Sequence, residues 1–176
     1  RHQSMNADRY GEIEVGIHRV ASAAYEVELR VSDPDSDAEI APVRGLANIS
    51  TDDLRGAYLD PAKYGGILAA QLLSDERVRA FYSKTKVAFE AKNPPLAIRI
   101  RLLIAPSAPE LHSVRWELML DPETGRPLAT SERILFSRVM RHEDWRVVTL
   151  RPKARLKALI AVSAPADFAK WDLAEV

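Results

Sequence analysis

Polar and apolar residues alternate along two early stretches of the chain. Between 12 and 20, Ile13, Val15 and Ile17 alternate with Glu12, Glu14 and Gly16. Between 24 and 32, Tyr25, Val27, Leu29 and Val31 alternate with Glu26, Glu28 and Arg30. A period of two sends successive side chains to opposite faces, which predicts two antiparallel strands, each with one packed and one charged face. The short link Ala21-Ser-Ala23 predicts a hairpin, although it lacks the glycine a tight turn favours.

The period then lengthens. Ser50-Thr-Asp-Asp53 ahead of Leu54 offers side-chain oxygens to the free N–H groups of a first helical turn, and predicts a helix over 54–73. Gly65-Gly66 predicts a break inside it. Asp75 opens a second helix to 92, with Val78, Phe81, Tyr82, Thr85 and Phe89 on one face, ended by Asn93-Pro94-Pro95. Alternation returns over 96–104, where Ile98, Ile100, Leu102 and Ile104 face one way and Arg99, Arg101 and Leu103 the other. Val114–Leu120 is a short strand or a turn of helix, and Asp121-Pro-Glu-Thr-Gly125 is a turn. Within 128–140, Ile134, Phe136 and Val139 point inward; 141–152 reads as a linker, and an apolar strand runs over 156–163.

Together these elements predict a mixed α/β fold. Its antiparallel or mixed sheet draws on 12–20, 24–32, 96–104 and 156–163, with both helices on one face. The last strand is of the buried type that opens a parallel α/β unit, so its helix and next strand are expected beyond Val176. Three regions are expected: 1–5, a vector remnant and start; 6–145, an N-terminal body; and 146–176, a linker and strand.

Composition narrows the function classes. Lys plus Arg number 25 and Asp plus Glu 25, so no net charge draws the chain to nucleic acid or an anionic membrane, and association with a second copy stays open. There is no cysteine, hence no disulfide, thiolate metal site or cysteine nucleophile within the chain. That fits a cytoplasmic location, as does the absence of a signal peptide or of an apolar run long enough to span a bilayer.

The sequence offers no catalytic, cofactor-binding or metal-ligating residue. Phosphate-loop, dinucleotide and nucleophile-elbow glycine patterns are missing. His2, His18, His112 and His142 are scattered, without a second ligand at metal spacing. Arg151, Lys153, Arg155 and Lys157 would share a face of an extended segment, either as an anion stripe or as a solvated linker face. Glu117, beside Trp116 in an apolar run, needs a partner, and Arg99, Arg101 and Arg115 are the candidates. Asp52 and Asp53 read as helix-capping acids rather than an acid–base pair.

An ordered series of motifs runs through the second half: Leu96-Ala-Ile-Arg-Ile-Arg-Leu-Leu-Ile104, Ala108-Pro-Glu-Leu111, Val114-Arg-Trp-Glu-Leu118, Asp121-Pro-Glu-Thr-Gly-Arg-Pro-Leu-Ala129, Ser137-Arg-Val-Met140 and Leu156-Lys-Ala-Leu-Ile-Ala-Val-Ser-Ala-Pro165. This series resembles the N-terminal half of bacterial CHAT domains, the caspase-like domains often attached to TPR repeats. It covers 75–176, with Arg115 where the family usually has proline and Val139 in place of an aromatic.

The resemblance implies that 156–163 is the first strand of a caspase-like domain and that 6–145 is a non-catalytic, pseudo-caspase-like region. It also implies a scaffold role for a cysteine peptidase in bacterial defence or regulated proteolysis. Active members use a His–Cys dyad on later strand ends, which no residue here matches. The implied partner is a caspase-like catalytic domain, in cis or on a separate chain, with TPR repeats or other proteins as further candidates. The alternative is a stand-alone protein–protein interaction module without peptidase activity.

Overall fold

The computed structural model describes residues 9–21 and 24–139. Strands β1 (Tyr10–Ala21), β2 (Ala24–Ser32) and β3 (Val43–Ala47) come first, then helices α1 (Thr51–Gly56), α2 (Pro61–Leu72) and α3 (Glu76–Glu90). Strand β4 (Ala97–Ile104), two 3-10 turns (Pro109–Ser113 and Trp116–Leu118) and strand β5 (Ile134–Val139) complete the series. The strands form one sheet in the order β3-β2-β1-β4-β5. β1 is antiparallel to β2 and parallel to β4, β2 is antiparallel to β3, and β4 is parallel to β5. The fold is mixed α/β, as the alternation and helical periodicity require.

Register explains the layering. Val15 lies opposite Leu29 on one side and Leu102 on the other, and Ile13 lies opposite Val31 and Ile100. The apolar positions of the strands therefore share one face, and the buried side chains of α1, α2 and α3 join them in a single core. α3 crosses that face obliquely. A Cβ on Gly45 in β3 would lie 2.4 Å from Cγ of Asp75, the N-cap of α3, and one on Gly11 in β1 would lie 2.5 Å from the Phe89 ring near its other end. Glycine at these two positions lets the helix sit close to the strands.

Several expectations need correction. The expected 54–73 helix is two helices, and the break falls at 57–60, not at Gly65-Gly66. Gly65 sits inside α2 because the 116–120 segment lies against it: an added Cβ would be 2.0 Å from the Leu118 carbonyl oxygen. Strand β3 was not predicted. Phe81 is only half-buried against the core, whereas Val78, Tyr82, Thr85 and Phe89 are buried as expected. Of the two readings of 114–120, the turn of helix is found, as a 3-10 turn over Trp116–Leu118, while Leu120 bridges to Pro127. Ile134 is buried in β5 and Phe136 packs against the core. The linker at 141–152, the strand at 156–163 and the boundary near 145 lie outside the described residues.

Candidate functional site

A buried polar cluster joins α3 to the turn ahead of β5. Lys86 follows Tyr82 by four residues and so falls on the buried stripe of α3. Its ammonium donates to Asp121 Oδ2 at 2.6 Å and to Glu123 Oε2 at 3.1 Å. The Lys86 and Asp121 side chains are only 7% and 4% exposed. The other Asp121 oxygen, Oδ1, accepts from the backbone N–H groups of Glu123 at 2.9 Å and Thr124 at 3.0 Å. Gly125, at φ 67°, then lets the chain turn back.

The charges in this cluster are fixed by one another. Burial pushes the Asp121 carboxyl up, but Lys86 and the two backbone donors outweigh it, so it ionises below its ordinary range. Burial pulls the Lys86 ammonium down, but Asp121 and Glu123 outweigh that, so it stays charged above its ordinary range. A depressed carboxyl makes a poor general acid near neutrality, and a raised ammonium a poor nucleophile. The neighbouring Tyr82 phenol is raised by burial and by the adjacent carboxylates.

Beside this cluster opens a concavity of about 570 Å³. Its charged lining consists of Lys86, Arg126 and Arg133 against Glu90, Asp121 and Glu132, a balanced set without a histidine. Among the described residues none of its hydroxyls, Thr124, Thr130 and Ser131, bonds to a carboxylate.

The motif tryptophan is also structural. Trp116 is fully buried, and its indole N–H donates to the Leu111 carbonyl at 2.8 Å, tying the two 3-10 turns together. Next to them, the Tyr25 hydroxyl donates to Glu110 Oε1 at 2.6 Å, and Arg19 approaches the same oxygen at 2.5 Å. Burial and this bond to a carboxylate push the Tyr25 phenol up to about 12.

The remaining sequence candidates are dispersed. His18 is exposed on the outer face of the sheet and His112 is exposed in a 3-10 turn; His2 and His142, and the stripe from Arg151 to Lys157, lie outside the described residues. Glu117 is exposed and pairs with Arg138 at 2.8 Å, not with Arg99, Arg101 or Arg115. Arg99 and Arg101 instead flank Glu12, at 3.9 and 2.9 Å. Ser50, rather than Asp52 or Asp53, caps α1: the two acids lie in its first turn, where Asp52 pairs with Arg55 and Asp53 accepts from Gln71. Among the described residues no group of three His, Cys, Asp or Glu could hold a metal ion, and no helix is long and apolar enough to cross a membrane.

No protein-family model, curated protein or solved structure matches the chain.

One arrangement escaped the sequence reading. The Arg115 guanidinium lies over the Tyr58 ring, 4.9 Å from its centroid, and 5.7 Å from that of Tyr64. Its Nη1 donates to the Tyr58 carbonyl at 3.0 Å, and its backbone N–H donates to the Tyr64 hydroxyl, also at 3.0 Å. The tyrosines are 57 and 51 residues from Arg115, too far apart for any local pattern to link them.

Proposed function

We propose that this chain is the non-catalytic N-terminal scaffold of a CHAT-type, caspase-like cysteine peptidase, whose His–Cys dyad is supplied by a catalytic domain in cis or on a separate chain. The observation that carries this reading is the use made of the motif residues. The stretches Leu96–Ile104, Ala108–Leu111, Val114–Leu118 and Asp121–Ala129 fold consecutively as β4, two 3-10 turns and the Asp121 turn leading to β5. Their polar groups are spent on architecture: the Trp116 indole on Leu111, and the Asp121 carboxylate on Lys86 and two backbone donors. Motif residues that resemble those of a peptidase family and are committed to structural bonds suit a supporting half better than a catalytic one.

Such a scaffold would work in the cytoplasm, in bacterial defence or regulated proteolysis. The test is to read the source gene in frame past the codon for Val176, together with its neighbours. A His-Gly strand end followed by a Cys strand end is expected. A stop codon with no such domain encoded alongside would overturn the proposal.

The second reading, a stand-alone interaction module, is favoured by one observation. Tyr58 and Leu59, between α1 and α2, are 57% and 94% exposed. Side by side, they offer apolar surface that a protein partner could cover.

A further inference from the structure

We propose that Arg115, held by Tyr58 and Tyr64, forms a docking site for an acidic side chain of a protein partner that brings an apolar residue beside it. The inference goes beyond the scaffold reading and does not rest on it.

The cation is pre-organised. Two aromatic rings and the Tyr58 carbonyl fix the guanidinium plane, so its remaining N–H groups keep their direction without a partner present. Among the described residues no carboxylate comes within ion-pair distance of Arg115, whereas its neighbour Arg55 is paired with Asp52. Tyr64 is 4% exposed, and its hydroxyl accepts from the Arg115 backbone while its own proton has no acceptor among the described residues. Arg115 and Tyr64 line the same concavity, so both can direct donors into it.

That concavity measures about 220 Å³ and no acidic residue lines it. It is smaller than the roughly 300–1,000 Å³ of small-molecule sites, and suits one side chain rather than a cofactor. A planar carboxylate matches an arginine fork, which it can meet with two parallel hydrogen bonds. Tyr58, which also lines the concavity, and the adjoining Leu59 supply exposed apolar surface. Tyrosine and arginine beside an open apolar position is the composition of an interface hot spot. The occupant is therefore a peptide segment carrying a carboxylate next to a bulky apolar residue.

The test is NMR titration of the full chain, at low salt, with two capped peptides: Ac-Trp-Glu-Glu-Leu-NH2 and its neutral counterpart Ac-Trp-Gln-Gln-Leu-NH2. The acidic peptide is expected to shift the Arg115 Nε–H resonance and the amides of 57–60 and 113–116. At least tenfold weaker binding is expected for the neutral peptide, and for the Arg115→Met and Tyr58→Ala variants with the acidic one. Tyr58→Ala changes an exposed residue, which keeps the test valid should Arg115→Met fail to fold. Equal response to both peptides, shifts confined to other surfaces, or no binding at millimolar peptide would overturn the proposal. So would inorganic phosphate giving the same shifts at the same concentration, since that indicates a general anion site.

Discussion

The Lys86 ammonium sits 2.6 Å from the Asp121 carboxylate, with both side chains at least nine-tenths buried. The pair ties α3 to the turn before β5 across 35 residues of sequence. Both charges are largely shielded from water; among the described residues Asp121 has no other cation, and Lys86 keeps only the partly exposed Glu123. Replacing one partner, as in Lys86→Met or Asp121→Asn, should destabilise the chain by about 3–5 kcal/mol in urea unfolding. The double change Lys86→Met with Asp121→Leu should recover part of that loss, because no unpaired charge is left inside. A loss below about 1 kcal/mol for both single variants would mean that the pair is solvated.

The two adjacent glycines of α2 should respond in opposite ways. At Gly65 a methyl group meets the Leu118 carbonyl oxygen at 2.0 Å, and the Gly65 carbonyl itself accepts from the Leu120 N–H at 3.4 Å. Backbone cannot move aside as a side-chain tip does, so Gly65→Ala should cost about 1–3 kcal/mol or more. At Gly66 nothing lies within 4 Å of the added carbon. Gly66→Ala should therefore raise stability by about 0.4–1 kcal/mol, by removing freedom from the unfolded chain. Thermal melts of the two variants measured side by side give the comparison, and equal shifts would refute the close contact.

Core position should separate two residues that look alike in the sequence. Ile100 is 1% exposed in β4, which lies between β1 and β5, whereas Phe81 is only half-buried. Ile100→Ala should cost about 2–5 kcal/mol, the range for an aliphatic side chain removed from a close-packed interior. Phe81→Ala should cost clearly less, although phenylalanine is the larger side chain. Equilibrium unfolding in urea orders the two, and the reverse order would show that α3 is rotated about its axis.

Acid should weaken the start of α3. Asp75 accepts from the Arg77 side chain and from the backbone N–H groups of Arg77 and Val78. The Arg77 side-chain bond, reinforced by the two backbone donors, holds its carboxyl at about 2 against an ordinary 3.8. A depressed folded value means that the stabilisation is complete above about pH 4 and is lost as the pH falls towards 2. Asparagine caps a helix as well as aspartate does but carries no charge. Asp75→Asn should thus flatten stability over that acid window by lowering the neutral-pH value towards the acid one, as followed by circular dichroism across the titration. An unaltered acid slope would assign the window to other carboxylates.

Local geometry made much of the fold legible. Alternation alone located β1, β2 and β4, because extended chain of any origin sends neighbouring side chains to opposite faces. Asp75 marked the start of α3, because its carboxylate serves the first turn of its own helix. The same local logic misread α2, where two glycines suggested a break: the helix keeps Gly65 because Leu118, distant in sequence, leaves no room for a side chain. It also missed β3, which turns Leu46 to solvent and Gly45 and Ala47 inward, since the Asp75 cap leaves no room there for a larger residue.

The sequence by itself thus determined the class of fold, the Asp75 cap and the lack of a recognisable catalytic motif, all properties of residues a few positions apart. Tertiary structure alone decided which distant charges meet. It placed Lys86 on Asp121, moved Glu117 from its expected partners to Arg138, and laid Arg115 over Tyr58 and Tyr64. Those contacts cross more than 20 residues of chain, and no period of two or of 3.6 encodes them. They arise only once a common core has brought the elements together.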